Sequence, residues 1–359
     1  MEADISKIDK NFAGEEIASE GMKFYPVRDP RFSIHGLFRP YELPRFQRMP
    51  DDVASAVNEN VRALYIHTAG GRIRFRTDSE RIFLRAVMPH IARHDHMPKT
   101  GSSCFDLYAD GRYVNTFRHG MLHGLPEIEK TENTYDSGLA LHSREMRDIL
   151  INFPTYNPVD NVYIGLDEDA VIAPAKPYRF EKPVVFYGSS ITQGGCTSHP
   201  GNAYFNILSR KLDTEIINLG FSSGCHGEDT MAEYLAGLDM SVLVFDYDHN
   251  SGYEELKEHH ERSFSIIRKR RPELPIIMIS AADRRFGVPE RKAIIEATYR
   301  HALERGDKNV YFIDGMKIYE EVGADYCTVD DIHPNDIGFY QMAKAVEPVL
   351  RTILEKQEK

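Results

Sequence analysis

The stretch VFYGSSITQGG occupies residues 185–195. An apolar run stops at Gly188, two serines follow, and then come Thr192, Gln193 and a glycine pair. A buried strand that ends on small polar residues is either a plain turn or a place where a hydroxyl is presented for chemistry. The sequence around it decides. Further apolar runs follow at IIN (216–218), VLVF (242–245), IIMIS (276–280) and VYFID (310–314). Segments with helical spacing alternate with them, at 252–270, 287–305 and 336–355. Continuous apolar strands alternating with helices predict a parallel sheet covered on both faces, a three-layer α/β/α fold. Ligands on such sheets bind at the carboxyl ends of the strands, so chemistry is expected just after each run.

Upstream, to about residue 172, the texture differs. In GRIRFRTD (71–78), Ile73 and Phe75 alternate with Arg72, Arg74 and Arg76, the pattern of a half-buried strand. FDLYADGRYV (105–114) joins two such runs through Asp110-Gly111, a tight hairpin signal. NVYIGLDED (161–169) places Val162, Ile164 and Leu166 on one face. This half is expected to be an antiparallel, jelly-roll-like β-sandwich. APAKPYRFEKP (173–183) carries three prolines and reads as the linker. The expected domains are 1–176, the sandwich, and 177–359, the parallel-sheet domain.

Composition narrows the function classes. The 359 residues carry a net charge of −11, which argues against nucleic acid and anionic membrane surfaces as partners. No apolar run reaches the ~18 residues needed to span a bilayer, and MEADISKIDKNFAGEE has no apolar core of a signal peptide. Four scattered cysteines without CxxC spacing suggest reduced thiols and a cytoplasmic protein. The sequence leaves homo-oligomer formation open.

Each apolar run is followed by a polar, glycine-bearing or acidic segment. Gly188-Ser189-Ser190 follows the first, NLGFSSG (218–224) the second and DYDHNS (246–251) the third. VDDIHPND (329–336) precedes the terminal helix. A serine hydroxyl needs a base to take its proton, and a developing oxyanion needs preorganised donors. His333 is a candidate base, a nearby carboxylate can orient it, and Asn250 and the turn 220–224 can donate. That is an inventory for acyl transfer. Taken singly, these residues have plainer readings: Ser190 as a helix cap, Asn218 as a turn pin, Asn250 as a loop residue, and Asn335 or Asp336 as the cap of the last helix.

The four blocks resemble those of the SGNH hydrolases, also called GDSL-type esterases. The block-one nucleophile falls on Ser190, with Ser189 where an aspartate is usual. Block two, Asn-x-Gly-x-x-Gly, matches Asn218 and Gly220 and puts Ser223 at the position whose amide joins the oxyanion hole, with Gly224 one residue late. Block three gives Asn250, with Asp248 in place of a glycine. The last block, Asp-x-x-His, gives Asp330 and His333 and leaves Asp331 as a solvated acid. Upstream, Phe105-Asp106-Leu107-Tyr108 matches the Gly-x-Asp-Leu-Tyr segment of the sandwich in one branch of these esterases, with Cys104 for the glycine. The resemblance implies a serine esterase without cofactor or metal. It also implies a small-acyl substrate, an acetylated carbohydrate or metabolite. Two alternatives stand beside it: an acyltransferase using the same acyl-enzyme, and a carbohydrate-binding protein whose three departures have cost it turnover.

Other groupings are weaker. His90, His94 and His96 cluster in HIARHDHMP (90–98), but no Cys or acidic partner completes metal-ligand spacing there. His259 and His260 are expected in solvent on a charged helix face. Cys196 and Cys225 are expected to serve packing near the pocket rim. No phosphate-binding glycine motif and no G-x-S-x-G elbow occurs.

Overall fold

The computed structural model describes residues 17–92, 94–118, 134–282 and 288–358. In the N-terminal part, one antiparallel sheet runs Met22–Pro26, Asn161–Asp167, Arg81–Val87, Thr134–Ala140 in spatial order. A second runs Ile172–Ala173, Arg72–Thr77, Arg147–Asn152, Phe105–Ala109, Arg112–Phe117, with Ser33–His35 also on Arg72–Thr77. One apolar core lies between them. Leu84, Val162, Ile164 and Leu166 come from the first sheet, and Ile73, Phe75, Leu107 and Ile151 from the second. The expected alternation holds at Ile73 and Phe75, and at Val162, Ile164 and Leu166. It fails at Arg72, which is 1% exposed. Its guanidinium reaches Glu215 and the carbonyl of Ile216 in the parallel-sheet domain. Asp110 (φ +49°) and Gly111 (φ +76°) both adopt the left-handed conformation that a tight hairpin demands.

The parallel sheet is ordered Thr214–Gly220, Phe180–Gly188, Val242–Asp246, Ile276–Ile279, Val310–Ile313. Its central strand, Val242–Asp246, is buried throughout, which is why it is apolar from Val242 to Phe245. Alternate residues feed two cores. Val184, Phe186 and Val244 pack with helices Tyr204–Leu212 and Asp336–Gln357 on one face. Val185, Tyr187 and Phe245 pack on the other with helices Asp229–Gly237, Tyr253–Arg270 and Val288–Glu304. Met49, Ala54 and Val61 of the N-terminal half join that second core. The expected linker is not free chain. Tyr178 is buried under Arg74, whose guanidinium lies 3.8 Å from the ring centre, and the first parallel strand begins at Phe180. No helix among the described residues is long and apolar enough to cross a membrane.

Register sets the site. Gly188 pairs with Gly220 on one side and Asp246 on the other, so the segments after three strands leave the sheet at one level. The two glycines are there for close approach. A Cβ on Gly188 would sit 2.1 Å from Thr192 Oγ1, and one on Gly220 2.3 Å from the Gln193 nitrogen. Gly188 has no left-handed φ. Its role is steric: it lets the short helix Ser190–Gln193 lie down on the strand ends.

Candidate active site

Ser189 caps the helix Ser190–Gln193, its Oγ accepting the N–H of Ile191 at 3.2 Å. Capping thus falls to Ser189, and Ser190 is the first helical residue. Ser190 Oγ lies 2.9 Å from His333 Nε2. His333 Nδ1 lies 2.8 Å from Asp330 Oδ2, while Asp330 Oδ1 accepts the backbone N–H of His333 at 2.8 Å and of Ile332 at 3.2 Å. Burial pushes the Asp330 carboxyl up, but the hydrogen bonds and charge of His333 outweigh it and hold it below the usual range. An ionised Asp330 accepts the Nδ1 proton, so the lone pair of Nε2 faces the Ser190 hydroxyl. Asp331 is exposed, with φ +63°, and serves the turn.

Around the turn after the second parallel strand, the backbone donors divide. Ser222 N–H goes to Gln193 Oε1 at 3.0 Å, and Gly224 N–H to the Phe221 carbonyl at 3.0 Å. Among the described residues no acceptor takes the N–H of Ser223. Ser223 has φ +52°, the left-handed region where glycine is favoured. Asn250 ends the 3₁₀ turn Asp248–Asn250, and its side-chain amide donates to the Phe221 carbonyl at 3.1 Å, which brings it to this same turn. Asn218 does pin its turn. Its amide donates to the Thr192 carbonyl at 2.6 Å, and its oxygen accepts from Gly220 N–H at 3.0 Å. Asp248 is turned away, with Oδ2 accepting the N–H of Ala281 at 3.0 Å.

The N-terminal half supplies more of this region than the sequence suggested. Tyr156 donates to the Ser190 carbonyl at 3.1 Å. Arg48 is fully buried and donates to the Gly220 carbonyl and to Asn218 Oδ1. Burial pushes its guanidinium down to about 9, and the Phe221 ring lies 4.2 Å beneath it. Gln193 Nε2 donates to the Thr155 carbonyl at 3.2 Å and lies 3.2 Å from His67 Nδ1. Burial, aided by the charge of Arg48, pushes His67 down to about 3, so it is neutral and accepts that bond. Asp106 is fully buried and accepts from Gly201 N–H at 2.6 Å, with His199 Nδ1 also at 2.6 Å. Arg48 and His67 are isolated residues with no readable spacing. Only Asp106 lay in a recognisable segment.

The histidine cluster splits. His96 is exposed, with its ring centre 5.5 Å from that of His333, while His94 faces His96 and Tyr156. Cys196 packs with Met97 and Tyr156, and Cys225 lies in the second core. The solvated reading of His260 is wrong. It is 1% exposed, hydrogen-bonded to Thr298 at 2.9 Å and stacked on Tyr247, and burial pushes it down to about 4. The helix turns its partly apolar face inward there, and a ring that stays neutral can be buried beside an aromatic. Asn335, not Asp336, caps the last helix, accepting from Ile337 and Gly338 N–H. Asp336 instead holds the loop before Tyr204, accepting from Ser198 N–H at 2.8 Å and Asn202 at 3.0 Å. A cleft of about 550 Å³ lined by Phe180, Met240, Arg271 and Leu354 lies at the opposite end of the sheet, away from these groups.

Comparisons with known proteins bear on the family and the fold. Residues 181–351 match the GDSL-like lipase/acylhydrolase family, and residues 22–172 match the GxDLY N-terminus of SGNH-hydrolase-type esterases. A search of curated protein sequences finds no match. Among solved structures, a putative GDSL-like lipase from Bacteroides ovatus superposes with a TM-score of 0.81 at 27% identity, covering 93% of this chain and 98% of that one. A salicylyl-acyltransferase from a tetracycline biosynthetic pathway gives 0.73 at 19% identity, covering 91% and 96%. An acetyl xylan esterase from the rumen bacterium Butyrivibrio proteoclasticus gives 0.58 at 12% identity, covering 93% and 99%. The last two share the fold. The chain belongs to the SGNH/GDSL-type esterases, carboxylic ester hydrolases, in the branch whose N-terminal part carries the GxDLY segment.

Proposed function

We propose that this esterase hydrolyses small-acyl esters, acetyl above all, of a carbohydrate or small metabolite, through an acyl-enzyme on Ser190. The observation that carries this reading is the chain of contacts from Ser190 Oγ to His333 at 2.9 Å and from His333 to Asp330 at 2.8 Å. Ser190 Oγ attacks the ester carbonyl as His333 Nε2 takes its proton, and Asp330 holds the imidazolium that forms. The backbone N–H groups of Ser190 and Ser223 and the amide of Asn250 receive the oxyanion. An amide carries two N–H bonds. One goes to Phe221, which fixes Asn250 and leaves the other for substrate. As the intermediate collapses, His333 returns the proton to the leaving alcohol. Water, activated by the same His333, then releases the acid. None of these steps calls on a metal or an organic cofactor.

The three sequence departures do not weigh against turnover, because each has a local account. Ser189 caps the helix, Ser223 supplies only its backbone, and Asp248 faces Ala281. That favours an enzyme over a binding protein that has lost its chemistry. Four free, buried cysteines fit a reducing compartment, and we place the protein in the cytoplasm. Carbohydrate as substrate is supported by the polar, glycine-rich segments after the strands and by the shared fold of carbohydrate esterases.

The test is kcat/KM across p-nitrophenyl esters from acetyl to dodecanoyl. Each buried CH₂ contributes about 0.8 kcal/mol where a tunnel exists. The segments at the strand ends are polar and glycine-rich, so the maximum is expected at acetyl. A maximum at octanoyl or beyond would overturn the small-acyl reading. Transfer to an added alcohol that outruns hydrolysis would make the protein an acyltransferase instead.

A further inference from the structure

The histidine segment of the sandwich has no part in the mechanism above, yet it ends beside the catalytic histidine. His96 from the N-terminal half, Cys196 from the loop after the nucleophile helix, and His333 each offer a ligand atom, and these three atoms lie within 4.8 Å of one another. A zinc ion with Zn–S of about 2.3 Å and Zn–N of about 2.0 Å needs its ligands roughly 3.5 Å apart. His96 is exposed, so its ring is free to swing inward by that difference. Cys196 is held in place, buried against Met97 and Tyr156.

The third ligand is already prepared. Metal-bound histidines usually donate their other ring nitrogen to a carboxylate, which fixes the tautomer and makes the ligating nitrogen more basic. His333 does this with Asp330 at 2.8 Å. The lone pair on Nε2 that would accept the proton of Ser190 is the same lone pair that a metal would take.

We propose that His96, Cys196 and His333 form an inhibitory site for a thiophilic divalent cation, Zn²⁺ or its cobalt surrogate. Binding breaks the S–H bond of Cys196 and forms an S–Zn bond. The proton leaves to solvent, and no electron moves. Water from solvent fills the fourth position. The metal occupies His333 Nε2, so Ser190 loses its base and turnover stops until the metal is removed. Hard cations are not expected there, because Mg²⁺ and Ca²⁺ prefer oxygen ligands.

The effect on turnover rests on the proposed role of His333, but occupancy of the site does not. Two readouts separate them. The first is hydrolysis of p-nitrophenyl acetate by the full-length protein with ZnCl₂, with MgCl₂ as control, and with chelator added last. Zinc should inhibit, magnesium should not, and the chelator should restore activity. His96→Ala and Cys196→Ser should keep basal turnover while raising the half-inhibiting zinc concentration by at least about tenfold. The second is absorbance on Co²⁺ titration. The wild type should show a sulfur-to-cobalt charge-transfer band, and Cys196→Ser should lack it. His96 is exposed, so its variant tests the site even if the Cys196 variant folds poorly. A cobalt band in a protein without esterase turnover would support the site while removing the proposed function. Zinc inhibition undiminished in both variants, or no thiolate band in the wild type, would overturn the inference.

Discussion

Asp330 and Asp331 are the same side chain one residue apart, and their surroundings give them different tasks. Asp330 accepts three hydrogen bonds, two of them from His333, whereas Asp331 is exposed in a left-handed turn. Asp330→Asn keeps the shape but loses the charge and the acceptor that fix the His333 tautomer. In a protease triad the equivalent change lowers kcat by about 10⁴. A loss of that order is expected for Asp330→Asn. Asp331→Asn should stay within about threefold, because asparagine tolerates the left-handed region. Steady-state kinetics of the two variants decides, and equal losses would remove Asp330 from its role. At this scale the sequence was legible where chemistry and spacing coincide, as in Asp-x-x-His. It was not legible where a residue acts through shape. The cap at Ser189, the steric role of Gly188 and the burial of His260 depend on what lies opposite them in the fold, and no neighbour in sequence announces that.

The elements were readable because their periods follow from burial on one face or two. The apolar runs became the parallel strands, and the Asp-Gly pair became the hairpin. What the pattern did not show is how the third parallel strand ends. Asp246 is fully buried there, and its Oδ2 accepts from Tyr204 at 3.0 Å and from Thr192 at 3.2 Å, which ties the helix Ser190–Gln193 to the sheet. Burial pushes its carboxyl up to about 7, against the opposing pull of His249. A carboxyl raised on folding holds its proton in the native state while the unfolded chain has lost its own. Its contribution is therefore complete below the unfolded value of about 4, and it is lost as pH rises through about 7. At about 1.4 kcal/mol per pKa unit the ceiling is roughly 4 kcal/mol. Asp246→Asn imitates the neutral form. Thermal melts between pH 4 and 8 should show the variant gaining stability relative to the wild type as pH rises. A constant difference across that range would mean that Asp246 is ionised in the fold.

At the scale of the whole molecule, the N-terminal half is a structural part of the site. Arg48, His67, Thr155 and Tyr156 all reach the helix Ser190–Gln193 or the turn that follows the second strand. Gln193 is the joint, holding Ser222 N–H on one side and Thr155 and His67 on the other. Gln193→Ala leaves buried donors and acceptors without partners, at about 1–3 kcal/mol, and frees the turn that carries Ser223. A lower melting temperature and a kcat reduced about tenfold with little change in KM are expected, in line with part of the loss of one oxyanion donor. An unchanged kcat would mean that the sandwich only supports the fold. This coupling was illegible in the sequence, because contacts between distant, isolated residues leave no periodic trace. Every one of these contacts converges on the placement of a single hydroxyl. The most direct test is therefore ester turnover by purified Ser190→Ala beside Ser189→Ala. Ser190→Ala should fall to background, while Ser189→Ala should lose only the stability of a cap, about 1 kcal/mol, and keep most of its rate. Turnover persisting in Ser190→Ala, with Ser189→Ala the inactive variant, would contradict the role of Ser190.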